Sequence, residues 1–372
     1  MGKITNLPTW VIKIGSAMIT NDGEGVDDGR MALWCEQIAE LKNMGMNVIV
    51  VSSGAIAIGM NDLGWNERPK LLNELQAAAS VGQTTLMNAW KRGFSQFGLN
   101  VGQILITHED AADRTRYLNI KGTITTLLEH DLVPIINEND TISFDEIKIG
   151  DNDTLGALVT SLVDADHYVI LTDQKGVFDS DPRNNPEAKL IDEASAFDER
   201  LVEMASPVGG RLGTGGMYTK VTAAQMAAKS GAVTYIAKGD EPGILIALAK
   251  GEEAGTKLTP TRDTIDAKKR WMLSQRQVKG TLVVDKGAEE ALMVHHKSLL
   301  PVGVISVDGM FERGDVVVCV NEEGKVLGRG LANYNCLEAQ KIMKAHSDEI
   351  AQKLGFMISD EMIHRNNWIE IQ

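Results

Sequence analysis

Cysteine is scarce in this 372-residue chain. The three cysteines, Cys35, Cys319 and Cys336, are odd in number, lie far apart and never form a C-x-x-C pair. This spacing favours neither a disulfide framework nor a zinc site, because both need cysteines in matched or closely spaced sets. We therefore predict three reduced thiols with structural roles.

Basic charge and long apolar segments are also lacking. The chain carries 37 Lys and Arg against 51 Asp and Glu, which gives a net charge of −14 and a pI near 5.0. Such a balance argues against broad binding to nucleic acid or to anionic membranes. No stretch approaches the roughly 20 apolar residues of a membrane span, and no secretory apolar segment follows the first residues. We expect a cytoplasmic protein.

Short β-branched runs alternate with helical patterns over the first two-thirds of the chain. Nearly continuous apolar strands separated by helices indicate a mainly parallel sheet that is covered on both faces. This part is therefore predicted to form a three-layer α/β/α sandwich. The predicted strands are 10–12, 48–51, 103–107, 133–136, 168–172 and 233–237, and the predicted helices are 30–44, 71–97, 154–163 and 219–230.

The last third has a different character. A polar, Thr-rich passage at 255–269 contains Pro260 and is typical of a linker. Beyond it come short Val-rich segments punctuated by Gly and charged turns, which indicate a small β-rich domain. These segments are 280–284, 303–307, 315–320 and 325–330. The length of the chain also favours two domains.

A glycine-rich segment at 209–220 carries the most specific signal of a phosphate ligand. It reads GGRLGTGGMYTK and stands just before a predicted helix. Glycines let backbone amides approach phosphate closely, and Lys220 adds a positive charge at the helix start. The segment is not G-x-x-x-x-G-K-[ST], and no G-x-G-x-x-G follows the first strand, so P-loop and Rossmann sites are excluded. A purely structural loop is the alternative.

Two further turns follow predicted strands, where open α/β sheets bind their ligands. Residues 13–16 (KIGS) place Lys13 beside a glycine, which lets the ammonium reach a phosphate. Residues 52–59 (SSGAIAIG) lead a strand into a helix whose first amides can bind an anion. Each segment also has a simpler explanation when taken alone. Lys13 can be a solvated lysine before a turn, and residues 52–59 can be a tight turn that lets the helix pack on the strand.

Acidic and amide side chains are concentrated at 137–140 (NEND) and 150–153 (GDND). Core packing does not account for them, and a calcium loop fails at Leu155, where an oxygen ligand would be needed. Helix N-capping explains one of Asn152 and Asp153. The others favour recognition of an ammonium and a carboxylate, or orientation of lysines.

Thr172 and Asp173 end another predicted strand. This pair is compatible with a purine pocket or with a simple strand end.

Taken in chain order, these motifs resemble those of the amino-acid kinase family. They are K-x-G-S, S-S-G-A, N-E-N-D, G-D-N-D, L-T-D-x-x-G-V and G-T-G-G-M-x-T-K. Residues 277–356 resemble a PUA domain, so the resemblance covers the whole chain. It implies a kinase domain at 1–256, a linker at 257–276, the PUA-like domain at 277–356 and a tail at 357–372.

The combination is similar to the branch of that family that phosphorylates L-glutamate. The implied reaction transfers a phosphoryl group from ATP to the side-chain carboxylate, giving L-glutamyl 5-phosphate, in the first step of proline biosynthesis. The resemblance also implies feedback inhibition by proline, through a loop at 143–149, and magnesium carried by the nucleotide without a dedicated protein ligand. It further implies a homo-oligomer, with a tetramer expected, and transient contact with a glutamyl-phosphate reductase. The near-equal acidic and basic content of the PUA-like domain argues against RNA binding.

Site residues carry over one by one. The expected catalytic lysines are Lys13 and Lys220, with Asp153 orienting both. The backbone at Gly15 and Gly54 is expected to contact the transferring phosphoryl group. Asp140 is expected near the substrate ammonium, and Ser53 and Asn152 as donors to substrate carboxylate oxygens. The expected ATP site comprises Lys13, Thr172, Asp173, Thr214, Gly215, Gly216, Met217, Tyr218, Thr219 and Lys220.

Overall fold

A computed structural model of the chain describes residues 7–20, 25–142, 152–205, 216–260 and 278–371. The chain divides into two compact units, Met1–Ile265 and Asp266–Gln372. The three cysteines are buried and unbonded, as predicted. No helix in these described ranges is long and apolar enough to cross a membrane.

An eight-stranded sheet forms the centre of the first unit. Its order is β3-β4-β2-β1-β5-β7-β8-β6, and every neighbouring pair is parallel except β7 with β8. The strands are β1 (Thr9–Ile14), β2 (Asn47–Ser52), β3 (Val101–Ile106), β4 (Val133–Glu138), β5 (His167–Thr172), β6 (Glu193–Ser195), β7 (Val233–Lys238) and β8 (Thr256–Thr259).

Helices cover both faces of this sheet, which confirms the predicted three-layer sandwich. Alternate residues of one strand enter different cores: Ile12 packs into the cluster on one face and Val11 into the cluster on the other. The helices are α1 (Ser16–Ile19), α2 (Asp28–Asn43), α3 (Ala55–Asp62), α4 (Leu72–Ser95), α5 (His108–Ala112), α6 (Arg114–Glu129), α7 (Asn152–Val163), α8 (Glu199–Ala205), α9 (Met217–Ala228) and α10 (Ile244–Ala249).

Helices α3 and α4 touch backbone to backbone through two glycines. A Cβ atom on Gly59 would collide with the carbonyl oxygen of Ala78, and a Cβ on Gly82 would collide with the carbonyl oxygen of Ala55. Only glycine permits this approach, because backbone atoms cannot move aside as a flexible side chain can. The contact fixes α4 beside the turn at the start of α3.

The second unit is built on a five-stranded sheet of order β10-β9-β11-β12-β13, in which only β9 and β11 are parallel. This architecture confirms the predicted small β-rich domain. The strands are β9 (Gly280–Val284), β10 (Val304–Gly309), β11 (Val316–Asn321), β12 (Val326–Leu331) and β13 (Trp368–Glu370), and the helices are α11 (Lys286–Met293), α12 (Cys336–Ile342) and α13 (Ile350–Leu354).

The predicted domain boundaries stay predictions, but two short strands lie within the predicted linker and tail. The predicted linker at 257–276 overlaps β8, which pairs with β7 and extends the first sheet. The predicted tail at 357–372 contains β13, which pairs with β12 and so belongs to the second sheet. Both strands are short, and each is defined by pairing with a strand that is distant in sequence. A local sequence pattern therefore does not predict them.

Candidate active site

The carboxyl ends of four neighbouring strands carry the polar residues of the candidate site. Strand order places β4, β2, β1 and β5 side by side, so their final residues meet at one edge of the sheet. Asn137 and Glu138 end β4, Ser52 ends β2, Lys13 lies near the end of β1 and Thr172 ends β5. Parallel strands therefore bring together motifs that are far apart in sequence.

A buried charge cluster occupies the centre of this edge. The Asp153 carboxylate forms an ion pair through Oδ1 with Lys13 Nζ, and its Oδ2 lies 3.1 Å from Lys220 Nζ. Thr219 Oγ1 donates to the same Oδ2 at 2.8 Å. Asp153 is 2% exposed, and Lys13 and Lys220 are 6% exposed. One carboxylate thus holds two ammonium groups that come from different elements, β1 and α9, and the catalytic role of all three residues stays a prediction.

Electrostatics keep Asp153 ionised. Burial by itself would raise the pKa of Asp153, but the charges of Lys13 and Lys220, with hydrogen bonds from Lys13 and Thr219, lower that pKa from 3.8 to about 2. Asp153 also lies in the first turn of α7, where the helix dipole favours a negative charge. The cluster carries one net positive charge, which suits an anionic ligand.

Tyr168 fixes the backbone of Asp153, and sequence reasoning did not assign it a role in the site. Its hydroxyl donates to the Asp153 carbonyl oxygen at 2.7 Å. The ring can lie against α7 because residue 156 is glycine, where a Cβ would collide with the Tyr168 hydroxyl. No sequence signal separates this tyrosine from an ordinary buried strand residue.

Two glycines are predicted to contact the phosphoryl group: Gly15 lies next to the charge cluster, and Gly54 lies in the turn after β2. Gly15 caps α1, and a Cβ built on it would lie 3.8 Å from Lys13 Nζ, so its backbone stands beside that ammonium. Gly54 precedes α3 with a φ of 101°, a conformation that favours glycine. Their contact with a phosphoryl group stays a prediction.

A chain of amide groups lies beside the charge cluster. Asn152 Nδ2 is 2.7 Å from Ser53 Oγ, 2.9 Å from Asn137 Oδ1 and 3.1 Å from the Ser52 carbonyl oxygen. Both Nδ2 hydrogens of Asn152 are therefore engaged within the protein, and its role as a donor to substrate stays a prediction. Ser53 accepts from Asn152, and no side chain or carbonyl in the described part of the chain accepts its hydroxyl proton, which leaves that proton for a ligand.

The remaining predicted residues fall into three groups. Thr172 donates its hydroxyl to Asp173 Oδ1 at 2.9 Å at the end of β5, and Gly216, Met217 and Tyr218 form the start of α9. Asp140 is half-buried in the turn after β4. Thr214, Gly215 and the loop at 143–149 lie outside the described residues.

Comparison with known proteins identifies the family. The sequence profile of the amino acid kinase family matches residues 8–238. This chain belongs to the amino acid kinase family. The profile of the PUA domain matches residues 280–354. The predicted resemblance to this family with an added PUA domain is therefore confirmed.

Curated relatives of the chain match it along nearly its full length. The glutamate 5-kinase of Pseudomonas entomophila (strain L48) is 53% identical over 367 residues, with 99% of each chain covered. That of Pseudomonas syringae pv. tomato (strain ATCC BAA-871 / DC3000) is 52% identical with the same coverage. Identity of this extent confirms that the chain is a kinase similar to the glutamate-phosphorylating branch of the family.

A solved structure shares the fold of the first unit. The carbamate kinase from Giardia lamblia bound to AMP-PNP superposes with a TM-score of 0.50 at 16% identity, covering 68% of this chain and 98% of that one. At that identity the match supports the architecture alone. The charge cluster of Lys13, Asp153 and Lys220 lies within the part of the chain that the family profile matches.

Proposed function

We propose that this protein transfers the γ-phosphoryl group of ATP to the side-chain carboxylate of L-glutamate, giving ADP and L-glutamyl 5-phosphate, as the first step of proline biosynthesis. The buried cluster of Lys13, Asp153 and Lys220 carries the proposal. Support for glutamate as the substrate comes from the 53% identity to a glutamate 5-kinase over 99% of the chain.

The chemistry asks little of the protein beyond position and positive charge. A carboxylate oxygen bonds to the γ-phosphorus while the bond from that phosphorus to the β–γ bridging oxygen breaks. The acceptor is already anionic, so no general base is required and no proton moves. Charge accumulates on the phosphoryl oxygens and on the departing ADP, and Lys13 and Lys220 neutralise it. Asp153 positions both lysines.

The substrate is recognised by the hydrogen-bonded group of Ser53, Asn152 and Asn137 and by Asp140 in the turn after β4. The Ser53 hydroxyl, held by Asn152, donates to a substrate carboxylate oxygen. Asp140 accepts from the substrate ammonium. Asn152, whose Nδ2 also contacts Ser53 and Asn137, is the second donor to the substrate carboxylate oxygens.

The nucleotide and its magnesium occupy the lysine side of the site. Thr172 and Asp173 at the end of β5, and residues 214–220 leading into α9, bind ATP. The Asp153 carboxylate is already held by two lysines and Thr219, so this part of the site suits phosphate oxygens better than a cation. Magnesium therefore enters on the nucleotide phosphates, with water completing its shell.

Several finer points stand as proposals that rest on the family resemblance. They are feedback inhibition by proline through 143–149, assembly into a homo-tetramer and transient contact with a glutamyl-phosphate reductase. A cytoplasmic location and a PUA-like domain that does not bind RNA also stay predictions, as do the domain boundaries.

Trapping the product tests the reaction directly. Acyl phosphates react with hydroxylamine, so the protein with ATP, magnesium and glutamate should yield a hydroxamate, and aspartate should yield far less. Lys220→Met should lower turnover by on the order of a hundred- to a thousand-fold. Lys121→Met is the matched control, because Lys121 pairs with Asp164 at the other end of α7 and should leave turnover near wild type.

Two results would contradict the proposal. A hydroxamate from aspartate but not from glutamate would reject the substrate. Turnover of Lys220→Met within about twofold of the Lys121→Met control would remove Lys220 from the catalytic set.

A further inference from the structure

The orientation of the amide chain is fixed by a backbone group. The Glu138 amide N–H donates to Asn137 Oδ1 at 2.9 Å. A backbone N–H can only donate, so the acceptor must be the oxygen of Asn137 and not its nitrogen. The Asn137 Nδ2 group then faces Gln83, and it donates to Gln83 Oε1 at 2.8 Å.

With the amide groups oriented in this way, the last side chain of the series, Gln83, has a donor for which no described residue supplies an acceptor. Because Gln83 Oε1 accepts from Asn137, its Nε2 must be the free end of the side chain. Gln83 Nε2 is buried and has no hydrogen-bond partner among the residues that the structure describes. A buried donor of this kind is unfavourable unless a further group accepts from it.

Helix packing holds Gln83 firmly at the edge of the site. Gly82, its neighbour in α4, touches the carbonyl oxygen of Ala55, which follows the turn at Ser53 and Gly54. This contact fixes the backbone next to Gln83, and Asn137 holds the Gln83 side chain through Oε1. Its unused donor lies beside the group of residues assigned to substrate recognition.

We propose that Gln83 is a further substrate-binding residue, whose Nε2 donates to the α-carboxylate of the amino acid. This inference rests on the proposed function. The side-chain carboxylate must lie beside Lys13 and Lys220, which Asp153 holds, and hydrogen bonds lead from Asn152, the residue before Asp153, through Asn137 to Gln83. In this series of contacts Asn137 and Asn152 separate Gln83 from the cluster of Asp153 and its lysines, which favours the other carboxylate of the substrate as the ligand of Gln83.

Two substitutions separate substrate binding from a purely structural role. Gln83→Glu keeps an oxygen that accepts from Asn137 but replaces the Nε2 donor by a carboxylate oxygen. In an assay at pH 8 this oxygen repels the α-carboxylate of the substrate. Gln83→Met removes both functions. Asn88→Asp is the matched control, since it makes the same amide-to-carboxylate change at an exposed position of α4.

We expect Gln83→Glu to raise KM for glutamate by on the order of ten- to a hundred-fold, as for loss of a hydrogen bond to a charged group. The kcat and the KM for ATP should stay near wild type, because the contact is equal in ground and transition states. The preference for glutamate over 4-aminobutyrate, which lacks the α-carboxylate, should fall by a similar factor. Asn88→Asp should change none of these values.

The opposite pattern overturns the inference. If Gln83→Glu keeps the wild-type KM for glutamate and the wild-type preference over 4-aminobutyrate, Gln83 does not bind the α-carboxylate. If Gln83→Met alone is impaired, with lowered thermal stability, the role is structural. Failure of the wild-type protein to phosphorylate glutamate is a different result, and it would reject the proposed function itself.

Discussion

Replacing Asp153 by asparagine is the sharpest test of the charge cluster. Asparagine has nearly the same shape and keeps an oxygen for the Thr219 hydroxyl, which donates at 2.8 Å in the native protein. It cannot neutralise Lys13 and Lys220, which are both 6% exposed. The variant therefore leaves two buried ammonium groups around a neutral amide.

The magnitude follows from the pKa of the carboxylate. A fall from 3.8 to about 2 means that the folded protein favours the ionised form of Asp153 by roughly 2–3 kcal/mol. Breaking a buried ion pair by removing one partner typically costs about 3–5 kcal/mol. We therefore expect Asp153→Asn to lower the free energy of unfolding by about 3 kcal/mol or more. Turnover should fall by on the order of a hundred- to a thousand-fold.

Urea unfolding with and without ATP and magnesium measures this effect. Phosphate charges replace the lost negative charge of Asp153, so the nucleotide should stabilise Asp153→Asn more than it stabilises the wild type. Acid supplies a second readout. The folded pKa of Asp153 is depressed, so its stabilisation is present above pH 3.8 and is lost as the pH falls towards 2. The difference between wild type and variant should shrink over that interval.

Asp28→Asn serves as the control. Asp28 pairs with Arg92 at 3.0 Å, but both side chains are largely exposed, so its loss should cost less than about 1 kcal/mol. The reasoning fails if Asp153→Asn unfolds at the same urea concentration as this control. It also fails if ATP and magnesium stabilise the variant no more than the wild type.

Two further predictions concern packing and pH. Gly59→Ala should destabilise the protein by about 1–3 kcal/mol or more in urea unfolding, because the added Cβ meets the backbone of Ala78. The control Gly122→Ala places its Cβ in open space on α6 and should be neutral or stabilising. Equal effects of the two substitutions would contradict the backbone contact. Burial lowers the pKa of His167 below 6.5 more than Asp166 raises it, and Lys257 lowers it further. Stability should therefore fall as the pH drops below about 6.5, and a wild-type loss no larger than that of His167→Phe would refute this.

Local pattern was sufficient for the elements of the fold. The apolar run at 48–51 predicted β2, and the structure buries each of these residues. The strand β13 escaped prediction because three residues at 368–370 have no pattern of their own and depend on pairing with β12. Residues 257–259 of β8 fall within the predicted linker, since a polar, Thr-rich passage is typical of a loop.

The sequence by itself determined the layered α/β architecture, the second β-rich domain and, through motifs, the residues Lys13, Asp153 and Lys220. Tertiary structure alone decided which of their side chains meet. Lys13 and Asp153 are 140 residues apart, and only the strand order β2-β1-β5 with α7 packed on it brings them together. Gln83 has no local signal, because its position depends on two helices that approach through Gly59 and Gly82.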